Sequence, residues 1–326
     1  MRHDQIDTWP QWPSYRIERM HVAILSARTG WHTDELCRAL ADHGHAGVVL
    51  PYEKLVGRLP GGLSRQPGGL SSESVPILEA DAVLARIIPG GSLEQIIYRV
   101  DALHWIEERG VLVVNSPRTI ERCVDKFYTT ALLHDAGLPT PETVVCEQTD
   151  EALAAVRAMG ECIIKPIFGS LGHGMVRVNE PEVARRIVRS LEQTRTVFYV
   201  QKAVDHGGRD IRVFVVGGKV LGAIERRAPE GEWRTNVAIG GSATPVELPD
   251  RWSQLAVRAA NAVGADYAGV DLLPSSDGQV FVLEVNGIPG WEGFQKATGI
   301  DVAGAIVGQL VARLTVRRAL VVEDVE

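Results

Sequence analysis

The stretch AGVDLLPSSDGQVFVLEVNGIPGWEGF, Ala268–Phe294, sets two apolar runs on either side of a Ser-Ser-Asp-Gly turn centred on Asp277 and Gly278. Such a pattern reads as a β-hairpin. Asp271, Glu284 and Asn286 interrupt the apolar runs where a plain buried strand would carry more Val or Ile. Residues two apart on a strand share a face, so Glu284 and Asn286 point one way and Phe281, Leu283 and Val285 point toward a core. With Asp271 on the partner strand, three oxygen-bearing side chains converge on one patch. That set suits a hard divalent cation such as Mg2+, which takes few protein carboxylates and completes its shell with substrate phosphates. A single acid there would be an ordinary surface residue; three in this register point to a metal site.

Phosphate-binding features lie upstream. FGSLGHG, Phe168–Gly174, carries glycines at 169, 172 and 174 between two strand-like runs. The order differs from a dinucleotide fingerprint, which opens into a helix, and the Gly-Lys-Ser/Thr of a Walker A loop is absent. What remains is a Gly-rich hairpin loop whose backbone N–H groups can fold over a phosphate chain. Lys165, in CIIKPI just ahead of it, sits among Ile163, Ile164 and Ile167, and a lysine in such surroundings calls for an anionic partner. Lys126 is a second candidate cation. A long hairpin, DIRVFVVGGKVLGAIERRA, turns at Gly217-Gly218 and offers Arg212 on one arm and Arg226 or Arg227 on the other; EWRTN follows with Arg234 and Asn236. Beside a metal and phosphates, such arginines stabilise a transferring phosphoryl group or hold an acidic substrate.

Bulk properties narrow the class. The 326 residues are 45% hydrophobic and carry a net charge of −7, with no Lys/Arg-rich block, which disfavours a nucleic-acid partner. Cys37, Cys123, Cys146 and Cys162 are widely spaced, arguing against a disulfide framework or a zinc site and for a reducing, cytoplasmic setting. His43-Gly44-His45 reads as a surface pair and His173 as a solvated loop residue. Neither a signal peptide nor a run long enough to span a membrane is expected.

From Met20 the chain alternates strand, helix and strand, and an open α/β domain closes near Pro117. Within it, Gly57–Pro76 reads as a mobile surface loop because of its two Pro-Gly-Gly triplets and its serines. TIERCVDKFYTTALLHDAG reads as one helix ended by Gly137, and a second unit of α+β type follows. The expected division is an extension over 1–19, an α/β domain over 20–117, and two further subdomains over 118–202 and 203–326.

In this order, Asp125-Lys126, KPIFGSLGHG, DIRVFVVGGKVLGAIERRA, EWRTN, AGVDLL and VLEVNGIPGWEGFQKATGIDVA, the sequence from about residue 111 onward resembles the ATP-grasp carboxylate-amine ligases, specifically the RimK-like α-L-glutamate ligase family. The resemblance implies an ATP-grasp fold, two α+β subdomains clasping ATP, preceded by an open α/β domain. It implies that Lys126 and Lys165 bind ATP phosphates, and that the loop with Gly169, Ser170, Gly172 and Gly174 closes over them. By the same resemblance Gln201, Lys202 and Val204 border the adenine and Asp210 lies near the ribose. Arg234, Thr235 and Asn236 match a nucleotide-contacting segment, and Asp271, Glu284 and Asn286 match the ligands of two Mg2+ ions, for which Mn2+ can substitute. Arg212 and Lys165 are then the catalytic cations. Two departures stand out: Lys202 falls where relatives commonly have Glu, and the adjoining loop is one residue short.

The implied reaction joins an amino acid, glutamate by preference, to a carboxylate acceptor through an acyl phosphate, releasing ADP and phosphate. The segment GSLEQIIYRVDALHWIEERGVLVVNSPRTIERCVDK is more similar to the cofactor-directed branch of the family, which favours a small C1 cofactor such as tetrahydromethanopterin as acceptor. Glutamylation of a protein C-terminus, a different peptide-type ligation, and a nucleotide-binding sensor without ligase activity stay open. Retention of Asp271, Glu284, Asn286, Lys126 and Lys165 speaks against the last. A homo-oligomer, dimer or tetramer, is expected. Trp291 and Glu292, directly after the ligands, are candidates to shape the pocket for the amino acid or acceptor.

Overall fold

The structure is a computed structural model that describes residues 19–61, 68–169, 174–235 and 240–323. The chain divides into two compact units, Met1–Arg118 with Asp301–Glu326, and Thr119–Ile300.

The first unit opens with strand β1 (His21–Ser26), helix α1 (Trp31–Asp42) and strand β2 (Ala46–Pro51). Strands β3 (Leu55–Arg58), β4 (Gly69–Ser72) and β5 (Val75–Pro76) follow, then β6 (Ala82–Ala85), α2 (Leu93–Glu108) and β7 (Leu112–Val114). β2, β1, β6 and β7 form a parallel sheet in that order. As expected for a sheet covered on both faces, β1 and β6 are buried along almost their whole length. The region expected to be a mobile loop, Gly57–Pro76, is in part a small antiparallel sheet, β3-β4-β5, with Leu70 and Ser72 buried and the Ser72 hydroxyl donating to the Pro51 carbonyl at 2.8 Å. Only its tip, 62–67, lies outside the described residues.

The second unit begins in α3 (Pro117–Val124) and continues with α4 (Lys126–Asp135), β8 (Thr143–Cys146), α5 (Thr149–Met159), β9 (Cys162–Lys165), β10 (Val176–Val178), α6 (Pro181–Glu192) and β11 (Phe198–Lys202). The helix expected to run unbroken from Thr119 is two helices. Asp125 leaves the helical conformation, and its carboxylate caps α4 by accepting from the Tyr128 N–H at 3.0 Å. β10, β9, β11 and β8 make one sheet, whose Cys162, Ile164 and Val200 pack against Val156 and Ala184 of α5 and α6.

The rest of this unit is β12 (Arg209–Val216), β13 (Lys219–Arg227), β14 (Ser242–Pro245), α7 (Asp250–Val263), β15 (Tyr267–Pro274), β16 (Val280–Asn286) and α8 (Glu292–Thr298). The five strands form a sheet in the order β14-β13-β12-β15-β16. The β12–β13 hairpin turns on Gly217 and Gly218, both at positive φ (56° and 73°), as a two-residue turn of that twist requires. One face of the sheet, with Ile211, Val213, Val270, Val282 and Val285, packs on Ala256, Ala260 and Val263 of α7.

The closing helix, α9 (Val302–Glu323), belongs with the first unit rather than with a subdomain over 203–326. Its buried residues Val302, Ile306, Leu310 and Leu314 recur at helical spacing and it packs on α1, where Arg38 pairs with Asp301 at 2.7 Å. Among the described residues no single helix is long and apolar enough to cross a membrane.

Candidate active site

The opening hairpin forms, but not by simple alternation. Asp271 lies opposite Glu284 and Gly269 opposite Asn286, whereas Leu272 pairs with Val282, leaving Leu283 as the extra residue of a β-bulge. The bulge shifts the phase of the strand. Val280, Val282 and Val285 enter the core, while Phe281 and Leu283, expected there, are only half-buried. Without the extra residue Glu284 would share the face of Val282 and point into that core. With it, Glu284 and Asn286 share the open face with Asp271.

Across β12 and β13 the same face carries Asp210, Arg212 and Arg226. Arg212 is the register partner of Asp271, and Asp210 that of Arg226. Arg226 grips Asp210 with two bonds of 2.7 Å and reaches Asp271 Oδ2 at 3.0 Å. Arg212 adds a two-pronged contact to Asp271, Nε to Oδ1 and Nη2 to Oδ2, the latter at 2.9 Å. Burial alone would push the Asp271 carboxyl up, but the two guanidinium groups override it and hold the pKa low. For Arg226, burial works against the charge, and Asp271 and Asp210 more than offset it, so the group stays cationic. Asp210 also accepts from the Thr235 hydroxyl at 2.6 Å. Asp210, expected near the ribose, thus takes three donors from this chain, because Arg226 faces it directly across the hairpin.

The lysines come from the other sheet and from α4. Lys165, 7% exposed, donates to Gln201 Oε1 at 2.6 Å, with its ammonium 5.9 Å from the centre of the Tyr199 ring. Gln201 in turn donates to Thr143 Oγ1 at 2.9 Å and to the Tyr199 hydroxyl at 3.2 Å. Gln201, expected at the adenine, therefore supports Lys165. Burial pulls the Lys165 pKa down to about 8; Glu284 opposes the fall and Lys126 adds to it. Lys126, at the first position of α4, donates to the carbonyls of Ile167 (3.2 Å) and Gly169 (2.8 Å), tying it to the start of the Gly-rich loop. Its pKa is lowered by burial and supported by Glu284. Glu284 is thus the charge that both lysines sense, so the two sheets contribute to one site.

Gly169 and Gly174 flank that loop at φ 139° and 74°, a backbone region that favours glycine. Ser170, Gly172 and Asn236 lie outside the described residues. Lys202 is exposed, Val204 is half-buried, and Arg234 pairs with Glu232 at 2.7 Å. Trp291, a candidate to shape the pocket, is fully buried. Sequence reading missed Cys123, Thr143, Tyr199 and Gly269. Cys123, on α3, is the thiol nearest in effect to Glu284: burial and then that charge push it up to about 12.

This site, with paired acids on a bulged hairpin and two lysines beside a Gly-rich loop, coincides with a family match: the pattern of the RimK-like ATP-grasp domain covers residues 123–310. The chain belongs to the RimK-like ATP-grasp family. It is an ATP-grasp ligase that forms C–N bonds. A tetrahydromethanopterin:α-L-glutamate ligase of Methanosarcina acetivorans is 36% identical over 321 residues, covering 90% of this chain and 99% of that protein. A Thioalkalivibrio sulfidiphilus protein named "Probable alpha-L-glutamate ligase" is 40% identical over 293 residues, covering 88% and 94%. The solved structure of the ATP-grasp ligase PsnB with a phosphomimetic variant of its minimal precursor, Mg and ADP has a TM-score of 0.70 at 23% identity, covering 90% and 98%; that likeness speaks to the fold.

The RimK-like site passes a chemical test for a divalent cation. Asn286 Nδ2 donates to the Gly269 carbonyl at 3.4 Å, which leaves its amide oxygen as an acceptor. Glu284 makes no hydrogen bond or ion pair with another described residue. Two carboxylates and an amide oxygen on adjacent strands fit Mg2+.

Proposed function

We propose that the protein joins L-glutamate to the carboxylate of a small C1 cofactor of the tetrahydromethanopterin type, with consumption of ATP. The acceptor carboxylate attacks the γ-phosphorus and ADP leaves; the glutamate amine then attacks the acyl carbon, phosphate departs, and the amine proton passes to solvent. The single observation that carries the reading of the chemistry is the side-chain set around Glu284: two lysines and a second acid, with the neighbouring thiol of Cys123 held protonated by a pKa near 12. A protonated thiol is no nucleophile, so the reaction rests on positioning and charge neutralisation. The acceptor and amino-acid assignment is supported by the Methanosarcina acetivorans relative, matched over nearly its whole length.

In this reading Lys126 and Lys165 bind the phosphates, and the Gly169–Gly174 loop covers them. Arg212 faces the reacting groups, and Arg226 with Asp210 and Thr235 keeps Asp271 oriented. Asp271, Glu284 and Asn286 would hold two Mg2+ ions, or Mn2+ in their place, and such ions would supply charge neutralisation at the phosphates. The experiment is to supply Mg-ATP, single amino acids and a panel of acceptors, and to follow phosphate release and acceptor mass. A glutamate-dependent mass gain on a pterin-type acceptor is expected. Mass gain on a peptide C-terminus instead, or with another amino acid only, overturns the assignment.

A further inference from the structure

Asp271 is the one proposed metal ligand that is already paired with cations. Its two oxygens receive three donors, two from Arg212 and one from Arg226. A carboxylate offers about four acceptor directions, two on each oxygen, so these contacts use most of its capacity. The two arginines are not equivalent. Arg226 has a second carboxylate, Asp210, and its side chain is 9% exposed; Arg212 pairs with Asp271 alone among the described residues and is 15% exposed. Among the described residues, one cation is anchored on a second acid and the other is held by Asp271 alone.

Gly269 shows where Arg212 lies. A methyl group there would stand 2.9 Å from Arg212 Nη1 and 3.1 Å from its Cδ, so the guanidinium runs along the backbone beside Asp271 and in front of the residue paired with Asn286. Glycine leaves that channel open. Arg212 therefore occupies the edge of the same patch that Asp271, Glu284 and Asn286 present.

We propose that Arg212 is an exchangeable counter-ion: a divalent cation displaces it from Asp271, and the freed guanidinium then holds an anionic group of the substrate. The proposal rests on the metal-site reading above. Before exchange, the Asp210–Arg226 and Asp271–Arg212 pairs cancel, and Glu284 supports the charges of Lys126 and Lys165. Arrival of a dication adds positive charge beside Asp271 and repels the Arg212 guanidinium from it. Arg212 is then a cation with no partner at the moment when an acidic acceptor or a phosphoryl group has to be held, and metal binding precedes productive binding of the acid. Arg226 does not take part in the exchange, because leaving Asp271 would not free it from Asp210.

The test uses the full chain and Mn2+ alone, with free Mn2+ read by electron paramagnetic resonance. Arg212→Gln removes the competitor and is expected to tighten Mn2+ binding about tenfold, within the usual range of coupling between two ligands. Arg212→Lys, which keeps the charge but loses the two-pronged grip, is expected to tighten it by less. Removing the positive charge in Arg212→Gln tightens binding by electrostatics alone, so the gain in Arg212→Lys, which keeps the charge, is the reading that a merely structural Arg212 would not show. Glu284→Gln separates the two layers. Loss of Mn2+ binding in that variant with no gain in Arg212→Lys overturns the exchange alone. Wild-type Mn2+ affinity in Glu284→Gln overturns the metal site and the exchange with it.

Discussion

Lys165 and Asp271 are almost equally buried, at 7% and 5% exposed, yet the two sheets of the second unit hold them in opposite ways. Lys165 touches neutral groups, the Gln201 amide and the Tyr199 ring, and is in ion-pair contact with no described acid, so Glu284 opposes its fall in pKa without overcoming burial. Asp271 is cancelled by two guanidinium groups. The outcome is visible in acidity: the lysine falls to about 8, while the acid is kept ionised. A charge buried among dipoles waits for an anion, whereas a charge buried in an ion pair is stable until something displaces its partner. The lysine face is built to receive phosphates, and the acid face to exchange cations.

The strongest way to break this contrast is on the acid face. Arg226→Met leaves Asp210 without its two-pronged partner and weakens the support of Asp271, and loss of one member of a buried pair costs about 3–5 kcal/mol. Urea unfolding reads it; a loss below about 1 kcal/mol would mean that water compensates the acids. On the lysine face Lys165→Met is expected to leave the fold intact and weaken ATP binding roughly 10- to 100-fold, the equivalent of about 1.5–3 kcal/mol for a charge-assisted hydrogen bond. Titration calorimetry measures it, and unchanged affinity would remove Lys165 from the phosphate site.

The pH dependence sharpens the same point with two opposite signs. Below about pH 8 native Lys165 is charged and ATP affinity is at its highest; it falls as pH rises through 8. Stability moves the other way. Between about 8 and the ordinary lysine value the unfolded chain binds more protons than the native one, so the Lys165 contribution to stability rises with pH in that window. Affinity and stability that fall together would show that Lys165 is not the titrating group. The smallest effect is expected at the turn. Gly278 has φ 86° with open space around it, so Gly278→Ala costs roughly 1–2 kcal/mol of stability and leaves ATP affinity unchanged.

Much of this architecture is legible in the sequence. Gly217-Gly218 announced its hairpin, and the two-residue spacing of Glu284 and Asn286 placed both on one face. The bulge was not legible, because Leu283 is as apolar as its neighbours and only the cross-strand pairing reveals that it has no partner. Asp125 broke a helix that periodicity carried through, since a capping side chain is visible only when its N–H partner is known. The role of Asp210 depended on which residue stood across the hairpin, a fact of register. Association of α9 with the first unit was equally hidden, because an apolar helical face does not name what it packs on.

The account centres on Glu284, the acid that the bulge turns onto the site face and whose charge both lysines sense. Its direct test is glutamate-dependent phosphate release from Mg-ATP by Glu284→Gln, beside circular dichroism and thermal unfolding of the same sample. Retained fold with turnover reduced by at least about 100-fold, the scale of losing a preorganised electrostatic group, is the predicted result. Turnover near that of the wild-type protein would contradict it.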